Sequence, residues 1–279
     1  QLPACTNCKI VFVSDRDGTA EIYSCNPDGS NISRLTNNAA TDDEPAWSPN
    51  RSHIAFVSDR TGHFEIYIMK ADGSNVVRKT FSESYCQNPT WSPDGTRIAY
   101  SGPSNGRSGI WLVEAGETSG SPSLLYEAAG KVIQPSWSPD GTKLALVSDS
   151  FAYDFVYDIF TLNADGTNFT ALTGDIFDHL DYLSPRWSPN GTKIAMMIMQ
   201  TPGDPYYNTQ IGVMNSNGSG ITTIIPGGVP KTKISWAPDG TRIMYTSLSG
   251  SGDDISWVSA DGSASGIIVT NGWNADWQH

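Results

Sequence analysis

A tetrapeptide that recurs along the whole chain constrains the fold more than any other feature. Each copy has a Trp, then Ser or Ala, then Pro, then Asp or Asn, and the copies begin at Trp47, Trp91, Trp137, Trp187 and Trp236. Trp277 begins a sixth copy that is cut short, and the intervals are 44, 46, 50, 49 and 41 residues. A period in this range is typical of solenoids, propellers and other repeat arrays. The 279 residues therefore make about six units.

Each unit contains the same short strands and tight turns. The Trp strand leads through a Pro-Asp/Asn-Gly turn into an apolar strand such as 98–100, and a second strand such as 65–67 leads into an Asp-Gly turn such as 72–73. Asp-Gly between alternating strands is a strong hairpin signal, because Gly accepts the positive φ of such turns. No stretch has a sustained helical period. The sequence predicts an all-β fold, a six-bladed β-propeller of four-stranded antiparallel blades.

The two ends of the sequence predict how the ring closes. The chain enters directly into an apolar strand at residues 10–14 and finishes on the Trp strand at residues 274–277. We therefore expect the C-terminal strand to join the N-terminal blade, so that both ends pair in one sheet. On this interpretation residues 1–279 are a single propeller domain.

The repeat resembles that of the TolB-like propeller family, W-S-P-D-G-T-K-I-A-F-V-S-D-R-x-G-x-x-E-I-Y. Residues 47–69 match this pattern nearly throughout, and the resemblance covers essentially the whole chain. It implies a six-bladed propeller, usually secreted or periplasmic and often a platform for protein binding. It does not imply one activity, since related propellers include binding modules, parts of peptidases and some polysaccharide lyases, and a fold hosts many functions.

The predicted strand order separates a uniform face from a variable one. Tight turns join strands one to two and three to four, whereas the irregular segments join strands two to three and cross to the next blade. Twelve acidic residues that do not recur fall in these irregular segments, against six basic ones. Variable loops on a rigid scaffold are where binding sites usually lie. We therefore expect the site on this acidic face, for a cationic partner, a metal ion or a basic protein surface.

Candidate ligand-binding residues come from two parts of that face. The segment after the fourth unit supplies carboxylates, a His and an aromatic residue, and nearby loops add further tyrosines that could stack on a sugar. The alternative is a loop anchored by Phe177 and Tyr182 with its charges in water. The candidates are Asp42, Asp43, Glu44, Tyr153, Asp154, Asp178, His179, Asp181, Tyr182, Tyr206 and Tyr207.

Metal and catalytic signals are sparse. Only His63 and His179 fall on the variable face, too few for a zinc site, which needs three or four protein ligands. Calcium needs only oxygens, and Asp15, Asp17 and Glu21 resemble a calcium loop, although Thr61 replaces the second acid in the next unit. No Gly-x-Ser-x-Gly elbow, Walker loop or dinucleotide loop is present, so we assign no catalytic residue.

The four cysteines favour a disulfide near the N-terminus. Cys25 ends a strand that pairs with the strand after Cys8, so a bridge from Cys25 to Cys5 or Cys8 is expected there. Cys86 lies in a crossing loop on the opposite face, free or paired with another molecule. A disulfide fits an exported protein.

Charge and hydropathy exclude two classes of partner. The net charge is −12 with no basic block, and phosphate contacts need Lys and Arg, so we expect no nucleic-acid binding. The longest apolar run, 194–199, is far below the roughly 20 residues of a membrane span. A chain numbered from Gln1 without Met is consistent with removal of a signal peptide, and we expect a secreted, extracellular or periplasmic protein.

These observations favour a non-catalytic binding or scaffold module that contacts a protein or glycan through the acidic variable face. Two alternatives stay open. One is a carbohydrate-binding or carbohydrate-active propeller, a lyase or hydrolase, centred on His179. The other is a structural subunit of an extracellular assembly. The sequence leaves the oligomeric state undetermined.

Overall fold

The computed structural model describes residues 8–82, 84–149, 156–174, 180–200, 209–227, 231–249 and 252–278. These residues form six four-stranded antiparallel sheets, the blades, and contain no helix. No helix long and apolar enough to cross a membrane occurs among them. The prediction of an all-β six-bladed propeller is confirmed.

The strands of the first three blades are the following. Blade 1 contains β1 (Ile10–Ser14), β2 (Glu21–Cys25), β3 (Ser33–Arg34) and, from the other end of the chain, β24 (Trp273–Trp277). Blade 2 contains β4 (Asp42–Trp47), β5 (His53–Ser58), β6 (Glu65–Lys70) and β7 (Val77–Arg78). Blade 3 contains β8 (Gln87–Trp91), β9 (Arg97–Ser104), β10 (Arg107–Glu114) and β11 (Ser123–Ala128).

The remaining strands repeat the same order. Blade 4 contains β12 (Val132–Trp137), β13 (Lys143–Ser148), β14 (Asp158–Asn163) and β15 (Thr170–Ala171). Blade 5 contains β16 (Leu180–Trp187), β17 (Lys193–Gln200), β18 (Thr209–Asn215) and β19 (Thr222–Ile225). Blade 6 contains β20 (Lys231–Trp236), β21 (Arg242–Ser249), β22 (Gly252–Ser259) and β23 (Ser265–Thr270).

The Trp strands β4, β8, β12, β16, β20 and β24 form the inner ring. Each contacts the Trp strands of the two neighbouring blades, and β24 contacts β4, so the ring is closed. Strand β24 pairs antiparallel with β1, with Ile10 opposite Trp277. The expected closure by the C-terminal strand is confirmed.

The hydrophobic core lies between blades rather than in one centre. Six clusters of buried side chains each combine residues of two adjacent blades; one joins Phe12 and Tyr23 of blade 1 to Met244 and Ile255 of blade 6. A four-stranded sheet has two apolar faces, and stacking around a ring covers both. The inner strands are thereby held in fixed positions around a central channel.

Local hydrogen bonding forms the turns after the Trp strands. In blade 3, Asp94 Oδ1 accepts hydrogen bonds from Ser92 Oγ and from the backbone N and Oγ1 of Thr96. These bonds lower the pKa of Asp94 to about 2. Gly95 takes a φ of 71°, which the turn requires. The recurring acids of these turns therefore have a structural role.

We call the end of the propeller that carries these turns the turn face, and the opposite end the loop face. Because successive strands are antiparallel, each inner strand runs from the loop face to the turn face and ends at its Trp. The connection 15–20 between β1 and β2 and the crossing 35–41 lie on the loop face.

Candidate functional site

Three of the predicted ligand-binding acids lie on an inner strand and not in a loop. Asp42, Asp43 and Glu44 begin β4, so the expectation that they belong to an irregular segment is wrong. The strand starts earlier than the sequence suggests because a β-bulge lies between Asp43 and Ala46. Glu44 in the bulge has a φ of 51°, a conformation that non-glycine residues rarely adopt.

Asp42 is bound entirely within the scaffold. Its side chain is fully buried, and Arg60 Nη2 donates to both of its oxygens at 2.9 and 3.0 Å. Asn38 Nδ2 donates to Oδ2 at 2.7 Å. A partner on the loop face cannot contact this carboxylate while these bonds persist.

Glu44 belongs to a set of residues that we call the upper ring. Each member stands three positions before a Trp on an inner strand, and five of the six have positive φ. The members are Glu44, Asn88, Gln134, Ser184, Lys233 and Asn274.

Hydrogen bonds connect the upper ring from blade to blade. Asn88 donates to Glu44 from its backbone N and from Nδ2, the latter at 2.8 Å. Ser184 N donates to Gln134 Oε1 at 2.7 Å, and Asn274 Nδ2 donates to Asp43 Oδ1 at 2.8 Å. Burial raises the pKa of Glu44. These bonds fasten adjacent inner strands to one another across the channel.

A second set of channel residues, the lower ring, lies closer to the turn face. Each member immediately precedes a Trp, and the members are Ala46, Thr90, Ser136, Arg186, Ser235 and Asp276. Both cations of the channel are close to this level, because Lys233 and Arg186 line the same cavity as Asp276. Burial lowers the pKa values of Lys233 and of Arg186.

The lower ring opens into a cavity of 280 Å³ at the turn face. Its walls are mainly indole and pyrrolidine rings, because the repeat places a Trp and a Pro at the same height in successive blades. The tryptophans that line it are Trp47, Trp91, Trp137, Trp187 and Trp236. Trp91 Nε1 and Trp236 Nε1 donate to the carbonyls of Ala46 and Arg186 in the preceding blade.

Sequence reasoning missed this cavity because it assigned the turn face to turns alone. The signal was present at the two positions that stand one and three residues before each Trp. Their identities change from unit to unit and include Glu44, Arg186, Lys233 and Asp276 within an otherwise regular repeat. Because side chains alternate along a strand, these positions share a face that the Trp-strand ring turns toward the channel.

The predicted site around the fourth and fifth units falls mostly outside the described residues. Tyr153, Asp154, Asp178, His179, Tyr206 and Tyr207 all lie outside them. Of the remaining two, Tyr182 is 4% exposed in β16. Asp181 accepts a hydrogen bond from Tyr157 N at 2.8 Å, and burial raises the pKa of its carboxyl.

Two of the predicted calcium ligands, Asp17 and Glu21, have protein partners. Glu21 is fully buried and accepts from Arg34 Nη2 and Asn38 N, while Asp17 Oδ2 accepts from Tyr23 Oη at 2.7 Å. Within the ranges that the structure describes, no group of three or more His, Cys, Asp or Glu could hold a metal ion. The geometry thus gives the calcium hypothesis no support.

Three acidic residues that form no ion pair within the described residues lie elsewhere on the loop face. Asp15, Asp253 and Asp254 lie near one another where blades 1 and 6 are adjacent, and none forms an ion pair within the described chain. Burial raises the pKa of Asp253, and the charges of the other two raise it further. We call these three residues the acidic patch.

The expected bridge from Cys25 to Cys5 or Cys8 is wrong, because Cys25 is a free, buried thiol. Cys25 stands directly opposite Ile10 in the β1–β2 pair. Cys8 is in a disulfide that does not include Cys25. Cys86 is also free and buried, which leaves it unavailable for pairing with another molecule.

The geometry described above agrees with comparisons against known proteins. A family model described as the TolB beta propeller domain matches residues 5–117 and 83–277. Among curated protein sequences no match to this chain is found.

Solved structures share the fold over nearly the whole chain. TolB from Acinetobacter baumannii is 19% identical, with a TM-score of 0.82 over 99% of this chain and 68% of that one. The putative TolB from Agrobacterium tumefaciens is 20% identical, with a TM-score of 0.74 over 96% and 90%. A chain of the nidogen/laminin complex is 10% identical, with a TM-score of 0.74 over 98% and 99%. At these identities the likeness establishes the fold alone.

Proposed function

The chain belongs to the TolB β-propeller family, and from this premise we propose that it is a non-catalytic binding module that recognises a basic surface of a partner protein. Residues 1–279 act as one propeller domain in this proposal. The contact lies on the loop face, centred on the acidic patch. The observation that carries the proposal is the patch itself, three carboxylates of which none forms an ion pair within the described residues.

The acidic patch has an electrostatic reason to bind a cation. Like charges at close range raise one another's free energy, and an Arg or Lys side chain from a partner relieves this cost. Asp15 is exposed and Asp253 and Asp254 are half-buried, so a partner reaches them without unfolding the blade. Elsewhere on the loop face, Asp42 and Glu21 already have an arginine, so these two carboxylates are less available to a cation of a partner.

Two further considerations support a binding role rather than catalysis. The channel is fastened by hydrogen bonds within the upper ring, which gives a rigid platform and leaves those side chains occupied. The nidogen/laminin complex contains a chain of the same fold in a protein assembly. A rigid scaffold with contacts on one end suits recognition of a second protein.

We infer export from the family to which the chain belongs. The protein is then secreted, extracellular or periplasmic. Fractionation of the source cells with an antibody against the propeller tests this part independently. Recovery of the protein in the cytoplasmic fraction would contradict it.

Charge reversal tests the binding surface. The double variant Asp15→Lys and Asp253→Lys places cations where the patch is negative, so we expect the partner recovered by cross-linking in the native source to be lost. The control is Glu117→Lys, which changes the charge of an exposed side chain in the 115–122 connection on the turn face. Equal recovery of the same partner by the double variant and by the control would contradict the proposal.

Salt dependence provides a second readout on the wild-type protein. Pairs between exposed charges weaken as ionic strength rises, because the Debye length falls from about 10 Å at 0.1 M to about 3 Å at 1 M. The cross-linked yield should fall over this range. A yield that is unchanged by salt and by charge reversal indicates a different contact surface.

A further inference from the structure

The cavity at the turn face is a second place where the chain can hold a ligand. Its 280 Å³ exceeds the space of about 150 Å³ that accommodates benzene in an engineered protein cavity. Tryptophan and proline rings form its walls, and Arg186, Lys233 and Asp276 are its charged residues. The cavity therefore combines an apolar wall with a small polar floor, as ligand sites commonly do.

The two cations of the floor have hydrogen-bond donors to spare. An ammonium group has three donors and a guanidinium five. Lys233 Nζ donates to the carbonyl of Pro45 at 2.8 Å, and Arg186 Nη1 donates to the carbonyl of Pro185 at 2.8 Å. Neither forms an ion pair with an acidic oxygen of the described residues. Both side chains are half-buried, so channel solvent still reaches them.

The acidic groups near these cations are engaged with other donors. Asp276 Oδ2 accepts from Trp47 N at 2.8 Å, and its Oδ1 accepts from Ser235 Oγ at 3.0 Å. Glu44 accepts twice from Asn88, on the loop side of the lower ring.

Asp43 is the third acid whose charge raises the pKa of Lys233. Its Oδ1 accepts hydrogen bonds from Asn274 Nδ2 and from the backbone N of Glu44.

The carbonyl oxygens at the cavity wall are also engaged. Those of Ala46 and Arg186 accept from Trp91 and Trp236, while those of Pro45 and Pro185 accept from the two cations. Three further indole N–H groups, of Trp47, Trp137 and Trp187, have no acceptor within the described part of the chain, but they are covered by neighbouring atoms. The cavity thus offers cationic donors and few vacant acceptors.

We propose that this cavity binds a carboxylate borne on a short apolar or aromatic stem. The carboxylate accepts hydrogen bonds from Lys233 and Arg186, and the stem packs among the tryptophan rings. Charge-assisted bonds to a carboxylate are the strong class of hydrogen bond, and a guanidinium can bind one through two parallel N–H groups. A free carboxylic acid and the C-terminal residue of a peptide share this chemistry.

Tryptophan fluorescence and calorimetry test the proposal directly, because five indoles line the cavity. The probe is 3-phenylpropionate, and the matched control is 3-phenylpropionamide, which has the same stem without the charge. We expect the carboxylate to change the fluorescence saturably and to bind at least about tenfold more tightly than the amide. Equal affinity for the two, or binding of neither 3-phenylpropionate nor the peptide acid described below, overturns the proposal.

Variants locate the site. Lys233→Met keeps the stem and removes the charge, so affinity for 3-phenylpropionate should fall at least about tenfold, while Lys233→Arg should retain most of it. Lys131→Met removes a cation on the loop face and should leave binding unchanged. Urea unfolding checks that each variant is folded. If Lys233→Met does not fold, Arg186→Met replaces it in the same binding test. Unchanged affinity in a folded variant that lacks either cation overturns the proposal.

The two sources of the carboxylate are separated with short peptides. Gly-Gly-Phe with a free C-terminus is compared with Gly-Gly-Phe amide under the same conditions. Binding of the peptide acid but not of its amide supports a chain terminus as the natural ligand. Binding of 3-phenylpropionate without the peptide acid supports a free acid.

Discussion

Buried charges have opposite surroundings at the loop-face ends of the strands and in the central channel. At the loop-face ends Glu21, Glu65 and Asp42 are fully buried, and each has an arginine nitrogen at 2.9 Å. In the channel, Lys233 and Arg186 have carbonyl partners and no ion pair within the described chain. A buried acid that is paired with an arginine of its own blade stabilises the scaffold. A channel cation without an ion pair keeps hydrogen-bond donors available for a ligand.

The largest loss of stability is expected where a buried acid is paired with an arginine. Glu65→Ala leaves Arg78 without its acid and removes the acceptor of Thr80 Oγ1, so we expect unfolding free energy to fall by about 3 kcal/mol. Urea denaturation measures it. The control Asp165→Ala removes an exposed turn acid whose hydrogen bonds go to Thr167, and it should lower the free energy of unfolding by less. Equal losses of unfolding free energy in the two variants would show that the buried pair of Glu65 and Arg78 stabilises the fold no more than an exposed turn acid does.

Glu44 is an acid of the upper ring that has no arginine partner in the described residues. Burial raises its pKa above the ordinary 4.5, so the folded state binds this proton more tightly than the unfolded chain. Stability from this proton is present at low pH and is lost as pH rises through the raised pKa. Glu44→Gln, which keeps a neutral amide, should therefore gain stability relative to wild type between about pH 4 and pH 7.

The measurement for Glu44 is the urea midpoint of both proteins at each pH. A constant difference between Glu44→Gln and wild type across this range would mean that the channel does not raise the pKa of Glu44 above its value in the unfolded chain.

A smaller change in stability is expected at a channel cation that forms no ion pair within the described residues. Lys233→Met removes a desolvated cation and one hydrogen bond to Pro45, two effects of opposite sign. We expect the unfolding free energy to change by less than about 1 kcal/mol in either direction. Thermal unfolding at fixed pH measures this. A loss as large as that of Glu65→Ala would show that Lys233 stabilises the fold as strongly as a buried ion pair does. The contrast between the two regions would then be wrong.

The smallest effect is expected in a turn. Asp94→Asn keeps the side-chain oxygen that Ser92 and Thr96 use, and Asn190 makes the same bonds in blade 5. The pKa of Asp94 is about 2, below the ordinary value of 3.8, so its ionic contribution to stability exists above pH 3.8 and is lost as pH falls through about 2. Melting temperatures should differ slightly at neutral pH and converge in strong acid. A large difference would show that the charge itself holds the turn.

The sequence predicted those features that depend on local chemistry repeated in every unit. Asp-Gly and Pro-Asp turns such as 72–73 and 92–96 predict hairpins, and the Trp spacing predicts the blades and their closure. Pairing of β1 with β24 follows from where the strands fall in the repeat. These predictions needed no knowledge of side-chain contacts between blades.

The candidate site depends on contacts that no local pattern encodes. Glu44 and Gln134 adopt left-handed conformations that their residue types rarely take, so the start of each inner strand could not be read from the sequence. The bond from Lys233 to Pro45 joins residues 188 positions apart. Such contacts arise only when the ring has closed, which is why the sequence placed Asp42 and Asp43 in a loop.

The pairing of β1 with β24 also has a kinetic meaning. Ile10 and Trp277 belong to one sheet, so blade 1 lacks its inner strand until the far end of the ring has been assembled. Until then β1 presents an unpaired strand edge, the kind of edge that recruits foreign strands. Contacts of such long sequence separation form slowly. Pairing of β24 with β1 thus removes a strand edge at which misassembly could otherwise compete with folding.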